Sequence, residues 1–182
     1  DLYRLACLAD PQSALGVGGA ESLVFVRVSL NITKVMAKLF RPLKTAIDLT
    51  PYFRHEFPYD SRLESSLRFP KGLLVKPGVT GEAAIHSEDC VFLLVSECNF
   101  LPVVANSSRK RGGETLDVAE DLVEAALFRL KSRFLRGGGS LPGCRLVLDS
   151  SRQYPDDFLE RRIADIEAGR VGHKAVVISH SI

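Results

Sequence analysis

Residues 90–101 read CVFLLVSECNFL, and their reading decides the fold. Cys90 to Val95 is an unbroken apolar run with polar residues on both sides. A strand exposed on one face alternates apolar and polar positions, whereas a strand covered on both faces does not need to. The run therefore predicts a central parallel strand, and Ser96 and Glu97 fall at its carboxyl end.

Outward from this strand the chain alternates strand and helix. Ser22 to Leu30 (SLVFVRVSL) is apolar and β-branched with Arg27 as its one charge, a second buried strand. Asn31 follows as an N-cap, and Ile32, Val35, Met36, Leu39, Phe40 and Leu43 recur at helical spacing, with Pro42 marking a break or a new first turn. Residues 50–72 hold prolines and mixed charge without periodicity and read as loop and short edge pieces. Leu73 to Lys76 predicts a short strand, and Pro77-Gly78 and Thr80-Gly81 predict a turn.

Thr115 to Arg136 predicts the longest helix: Leu116, Ala119, Leu122, Val123, Ala126, Leu130 and Phe134 form one stripe. Acids cluster at its start and Arg129, Lys131, Arg133 and Arg136 at its end, matching the helix dipole, with Gly137 as a stop. Arg145 to Asp149 is a further strand, Pro155 opens a helix running to about Gly169, and Lys174 to Ser179 (KAVVIS) is a last strand. Strands separated by helices imply right-handed crossovers in a parallel sheet, an α/β fold whose ligands sit at the carboxyl ends of the strands. The functional positions are then those just after Val95, Asp149 and Ser179. The whole chain, 1–182, reads as one domain.

Composition is compatible with that fold. The 182 residues are 46% hydrophobic, enough to build one core, and exclude a disordered chain. A net charge of +2 gives no argument for nucleic acid by itself, so any such contact depends on local patches. Cys7, Cys90, Cys98 and Cys144 show neither C-x-x-C spacing nor a histidine at zinc-ligand distance and read as reduced core residues. His55, His86, His173 and His180 are scattered, without metal spacing. No secretory signal and no apolar run long enough to span a bilayer is present, so the sequons at Asn31 and Asn106 are chance matches. The first residue is Asp1 and the sole methionine is Met36, which leads us to expect a fragment of a longer protein.

Glu97 is the residue whose place carries chemistry. In nucleotide hydrolysis an acid at a strand tip orients the attacking water, and at this tip the alternative is an ordinary solvated strand end. Asp149-Ser150-Ser151 offers hydroxyls at a second tip, where a simple serine turn is the alternative. The basic loop Asn106 to Gly113, with Arg109, Lys110 and Arg111, suits phosphate, either DNA backbone or a neighbour's nucleotide, although such loops are commonly just solvated. Ser107-x-x-Lys110 has the spacing of a serine hydrolase motif without its companions. The glycine clusters at 16–19 and 137–139 lack the Lys-Ser/Thr that completes a phosphate loop, and G-x-x-x-x-G-K-[ST] is absent.

The order of these pieces resembles the ATPase domain of the large terminase subunit of tailed bacteriophages. The resemblance runs through the opening DLYRL, the segment TPYF at 50–53, CVFLLVSECNFL, the helix ending RLKSRF at 129–134, and LVLDSSRQYPDDFLERR at 146–162. It implies a P-loop NTPase-like (ASCE-type) fold, here incomplete, with CVFLLVSE as the Walker B strand and Glu97 as its catalytic carboxylate. Ser96 stands where the family carries the Mg²⁺-associated aspartate, and serine brings no charge. Ser150 and Ser151 match the segment that couples hydrolysis to motion, and Arg109 or Arg111 is the candidate trans-acting arginine or DNA contact.

The family's phosphate loop and nuclease acids lie outside the matched segments, so this chain alone is expected to bind ATP poorly. The parent protein implied by the resemblance uses ATP and Mg²⁺ and moves double-stranded DNA into a capsid. Its partners are the portal protein and the small terminase subunit, it works as a homo-oligomeric ring, and its place is the cytoplasm of the infected host cell. Two other readings stand beside it: a different P-loop ATPase or helicase, and a non-enzymatic α/β binding or assembly module.

Overall fold

The computed structural model describes residues 1–17, 22–29, 31–79, 89–105, 115–136, 139–140, 144–172 and 175–178. Within them the chain forms an α/β fold around a mainly parallel sheet. Strands β1 (Leu23–Ser29), β2 (Leu67–Arg68), β3 (Leu73–Val79), β4 (Asp89–Ser96) and β9 (Arg145–Asp149) lie in the order β2-β3-β1-β4-β9. All neighbours are parallel except the short β2, which is antiparallel to β3. Two small antiparallel ladders, β5 (Val103–Val104) with β6 (Leu116–Asp117) and β7 (Leu135–Arg136) with β8 (Gly139–Ser140), flank the long helix.

Alternation along β1 divides the core into two clusters. Leu23 and Phe25 pack with Phe40, Phe53, Phe57 and Phe69 on one face. Val24, Val26 and Val28 pack with Leu93, Val95, Leu122, Val123 and Ala126 on the other. The second cluster is roofed by α5 (Val118–Phe134) and by Phe158 of α6 (Phe158–Glu167). Helix α5 is shorter than the expected Thr115 to Arg136, both ends pairing as strands; of its expected stripe Ala119, Leu122, Val123, Ala126 and Phe134 are buried, Leu130 is partly buried, and Leu116 is buried in β6. Asp117 caps α5 through Oδ1, which accepts from the N–H groups of Ala119 and Glu120.

The first cluster is covered by short helices: α1 (Leu2–Ala6), α2 (Pro11–Leu15), α3 (Ile32–Lys34) and α4 (Arg41–Leu49). Asn31 caps α3 as expected, its Oδ1 accepting from Lys34 N–H at 2.8 Å. Between α3 and α4 the helix widens to a π-helix, Val35–Phe40, and Arg27 reaches up from β1 to donate to the Leu39 carbonyl at 2.8 Å. The strand's one charge is thus matched to a helical carbonyl. The expected apolar stripe is only partly inward, since Val35 and Phe40 are buried but Ile32 is 46% exposed. A second π-helix, Tyr52–Glu56, lies in the stretch read as loop, where Phe53 packs onto Phe69 and Tyr52 onto Phe57.

Two expectations are corrected. Pro77 and Gly78 do not turn the chain; they lie inside β3, opposite Arg27 and Val28 of β1. Proline is tolerated there because β2 pairs only with Leu74 and Val75, which leaves that side of β3 without a ladder at Pro77. Gly78 is needed because a Cβ at this position would stand 2.8 Å from Val26 Cγ1. The turn instead precedes β3, where Lys71 and Gly72 both take left-handed backbone at φ 58° and 66°. The second correction concerns KAVVIS: Ala175 to Ile178 form no strand, and Val176 and Ile178 are 84% and 89% exposed. The Thr80-Gly81 turn lies outside the described residues.

Candidate functional site

The sheet brings the tips of β1, β4 and β9 to one edge. The connection leaving β1 runs towards β3, whereas β4 leads through α5 to β9, so the strand order reverses between β1 and β4. A crevice opens at the carboxyl ends of such a pair, the usual ligand position in open α/β sheets. Ser29 closes β1 and Ser96 closes β4, so both stand at this crevice with Glu97 immediately after.

Glu97 takes left-handed backbone, φ 59° and ψ 39°, which costs a residue with a Cβ about 1–2 kcal/mol. Its main chain then turns into a 3-10 helix, Cys98–Phe100, with Phe100 N–H donating to the Glu97 carbonyl at 3.0 Å. Oε2 of Glu97 accepts from the buried Ser29 hydroxyl at 3.3 Å and lies 3.4 Å from Nζ of Lys34. The Lys34 and Glu97 side chains are 41% and 34% exposed, so their attraction is screened and contributes about 0–1 kcal/mol. The pair orients the carboxylate more than it stabilises the fold.

The neighbouring tip is assembled around Asn99. Its backbone N–H donates to Ser150 Oγ at 3.1 Å, and Nδ2 donates to the Ser151 carbonyl at 2.9 Å and to Asp157 Oδ2 at 2.8 Å. Its Oδ1 accepts from Leu159 N–H at 2.9 Å. Asp157 caps α6 by accepting from Glu160 N–H and also accepts from Gln153 N–H, both at 3.0 Å. Burial raises the Asp157 carboxyl, but the N–H groups of Gln153, Glu160 and Tyr154, with the charge of Arg152, outweigh it and hold the group below the usual carboxylate range. Glu160 returns to Asp156 N–H at 2.9 Å, a capping box displaced by one residue.

Of the residues expected from sequence, Ser96, Glu97, Ser150 and Ser151 share this edge. Ser150 acts through its hydroxyl on Asn99 and Ser151 through its backbone carbonyl. Arg109 and Arg111 lie outside the described residues. Ser29, Lys34, Asn99 and Asp157 were not singled out for chemistry. Only Asp157 had a sequence signal, the Asp-x-x-Glu spacing before an apolar helix.

Burial, with the nearby charge of Asp149, pushes the Cys98 thiol up to about 12, and burial pushes Cys144 to about 12 as well. Both remain thiols at neutral pH and are poor nucleophiles. A divalent cation fits these residues badly. Ser96 carries no charge, the Glu97 carboxylate faces an ammonium, and no group of three His, Cys, Asp or Glu suited to a metal occurs among the described residues. Asp149 stands opposite Ser96 in the β4–β9 register. Among the described residues no helix is long and apolar enough to cross a membrane. Neither the scan against protein-family models nor the search of curated proteins finds a match for this chain.

Proposed function

We propose that this chain is part of the ATPase motor of a large terminase subunit, and that Glu97 is its water-orienting carboxylate. The observation that carries the reading is the position of Glu97: at the tip of a buried parallel strand, beside the point where strand order reverses, with a hydroxyl from the adjacent tip on its oxygen. A carboxylate there accepts a proton from a water aligned on the terminal phosphate of ATP, and the fixed left-handed turn limits where its oxygens can go.

The arrangement of the sheet supports an incomplete P-loop NTPase-like fold. The outer edge of β9 has no strand against it among the described residues, and Ala175 to Ile178, a strand-forming sequence, is exposed and unpaired. One further strand bearing a phosphate loop against the free edge of β9 would supply the phosphate contacts that this sequence lacks. The described residues form no site for Mg²⁺. In the parent protein the reading implies double-stranded DNA, the portal protein and the small terminase subunit as partners, a homo-oligomeric ring, and the host-cell cytoplasm. Arg109 or Arg111 would face DNA or a neighbour's nucleotide.

A non-enzymatic assembly module is the second reading, favoured by uncharged Ser96 and by the Lys34–Glu97 pair. ATP turnover by the full-length protein, with and without double-stranded DNA, separates the two. The motor reading expects DNA-stimulated hydrolysis that charge-neutral substitution of Arg109 or Arg111 lowers. No hydrolysis under either condition overturns the motor reading.

A further inference from the structure

We propose that Asn99 is a positioning residue that ties the Glu97 turn to the N-terminus of α6, so that the two move as one unit. The role rests on the reading of Glu97 as the water-orienting group, but the tie itself is visible without it. Every hydrogen-bonding group of the Asn99 side chain is used: Nδ2 donates to the Ser151 carbonyl after β9 and to the Asp157 carboxylate, and Oδ1 accepts from the Leu159 N–H, the last two both at the start of α6. The first turn of a helix leaves its N–H groups without partners in the helix. Here Asp157 takes that of Glu160 from the N-cap position three residues earlier, while Asn99 takes that of Leu159 from a strand tip distant in sequence. The cap of α6 is therefore shared with the β4 turn.

Asn99 is also bound from its backbone, through Ser150 Oγ, and lies in the same 3-10 turn as the Glu97 carbonyl. A displacement of α6 pulls on Asn99, and the short turn passes the displacement to Glu97. Only an amide satisfies this geometry. A carboxylate at position 99 keeps the Leu159 contact but sets oxygen against the Ser151 carbonyl and against the Asp157 carboxylate.

The test uses the full-length protein with Asn99→Asp, the exchanged pair Asn99→Asp with Asp157→Asn, and Glu97→Gln in parallel. Misplacing a catalytic group by about 1 Å can cost about 10²-fold, so Asn99→Asp should lower saturated ATP turnover at least about tenfold. Nucleotide affinity should stay within about threefold, as expected for a loss confined to the transition state. The exchanged pair restores a donor facing an acceptor at the 99–157 contact alone, while oxygen still faces the Ser151 carbonyl and the Gln153 N–H loses its acceptor, so it should recover only part of the turnover. Wild-type turnover in Asn99→Asp, or a fall matched by lost affinity or by lost folded protein, overturns the role. If Glu97→Gln turns over ATP like wild type, the reading of Glu97 fails, and hydrogen exchange then judges the tie alone. Asp157→Ala should speed exchange at the amides of Asn99, Phe100 and Leu101. Unchanged exchange there overturns it.

Discussion

Strands β1 and β9 flank the same central strand and are treated differently by the fold. Every residue of β1 is buried except the half-buried Arg27, and both faces are packed. β9 is covered on one face only: Leu146 and Leu148 pack towards α5, while Arg145, Val147 and Asp149 are exposed. Parallel strands normally have both faces covered. Among the described residues the sheet is finished on the β1 side of β4 and open on the β9 side, and Glu97 stands at the tip of β4.

The largest expected effect follows directly. Leu93→Ala in β4 empties a fully packed position and should cost about 2–5 kcal/mol, whereas Val147→Ala in β9 should cost less than about 1 kcal/mol. Denaturant unfolding of the two variants measures both, and equal losses would mean that β9 is as well covered as β4. Gly78→Ala sharpens the same contrast from the other side of the sheet. Its new methyl meets Val26 in the tight β1–β3 contact and should cost about 1–3 kcal/mol in the same assay.

A smaller effect is tied to acid. The Asp157 carboxyl is held below its ordinary value of 3.8, so its contribution is complete above that pH and is lost as pH falls through the lower, folded value. Exchange at Leu159 and Glu160 should therefore rise selectively below about pH 4 in wild type and lose that pH step in Asp157→Asn. The smallest effect is at Ser29. Ser29→Ala removes one long hydrogen bond to Glu97 and should lower ATP turnover in the full-length protein only a few-fold, with affinity unchanged.

Apolar runs made the centre of the sheet legible. SLVFVRVSL and CVFLLV are apolar without polar alternation, and Ala119 to Phe134 carries a helical stripe, so the centres of β1, β4 and α5 followed from pattern. KAVVIS has the same composition, but a strand needs a neighbour to pair with, and pattern does not reveal whether one is present. Pro77-Gly78 looked like a turn because the tight β1–β3 contact that calls for glycine is a property of the packed sheet. The position of Glu97 at the tip of β4 was legible from its place after a buried run. Ser29, Lys34 and Asn99 were not, because each matters through a partner far away in sequence: Glu97 for the first two, Asp157 and Leu159 for the third.

The most direct measurement is steady-state ATP turnover together with nucleotide affinity for Glu97→Gln beside wild type in the full-length protein. Glutamine keeps the shape and removes the base, so turnover should fall by about 10²–10⁴ with affinity nearly unchanged. In the same experiment Ser96→Asp should tighten Mg²⁺-dependent binding. Wild-type turnover in Glu97→Gln would contradict the account.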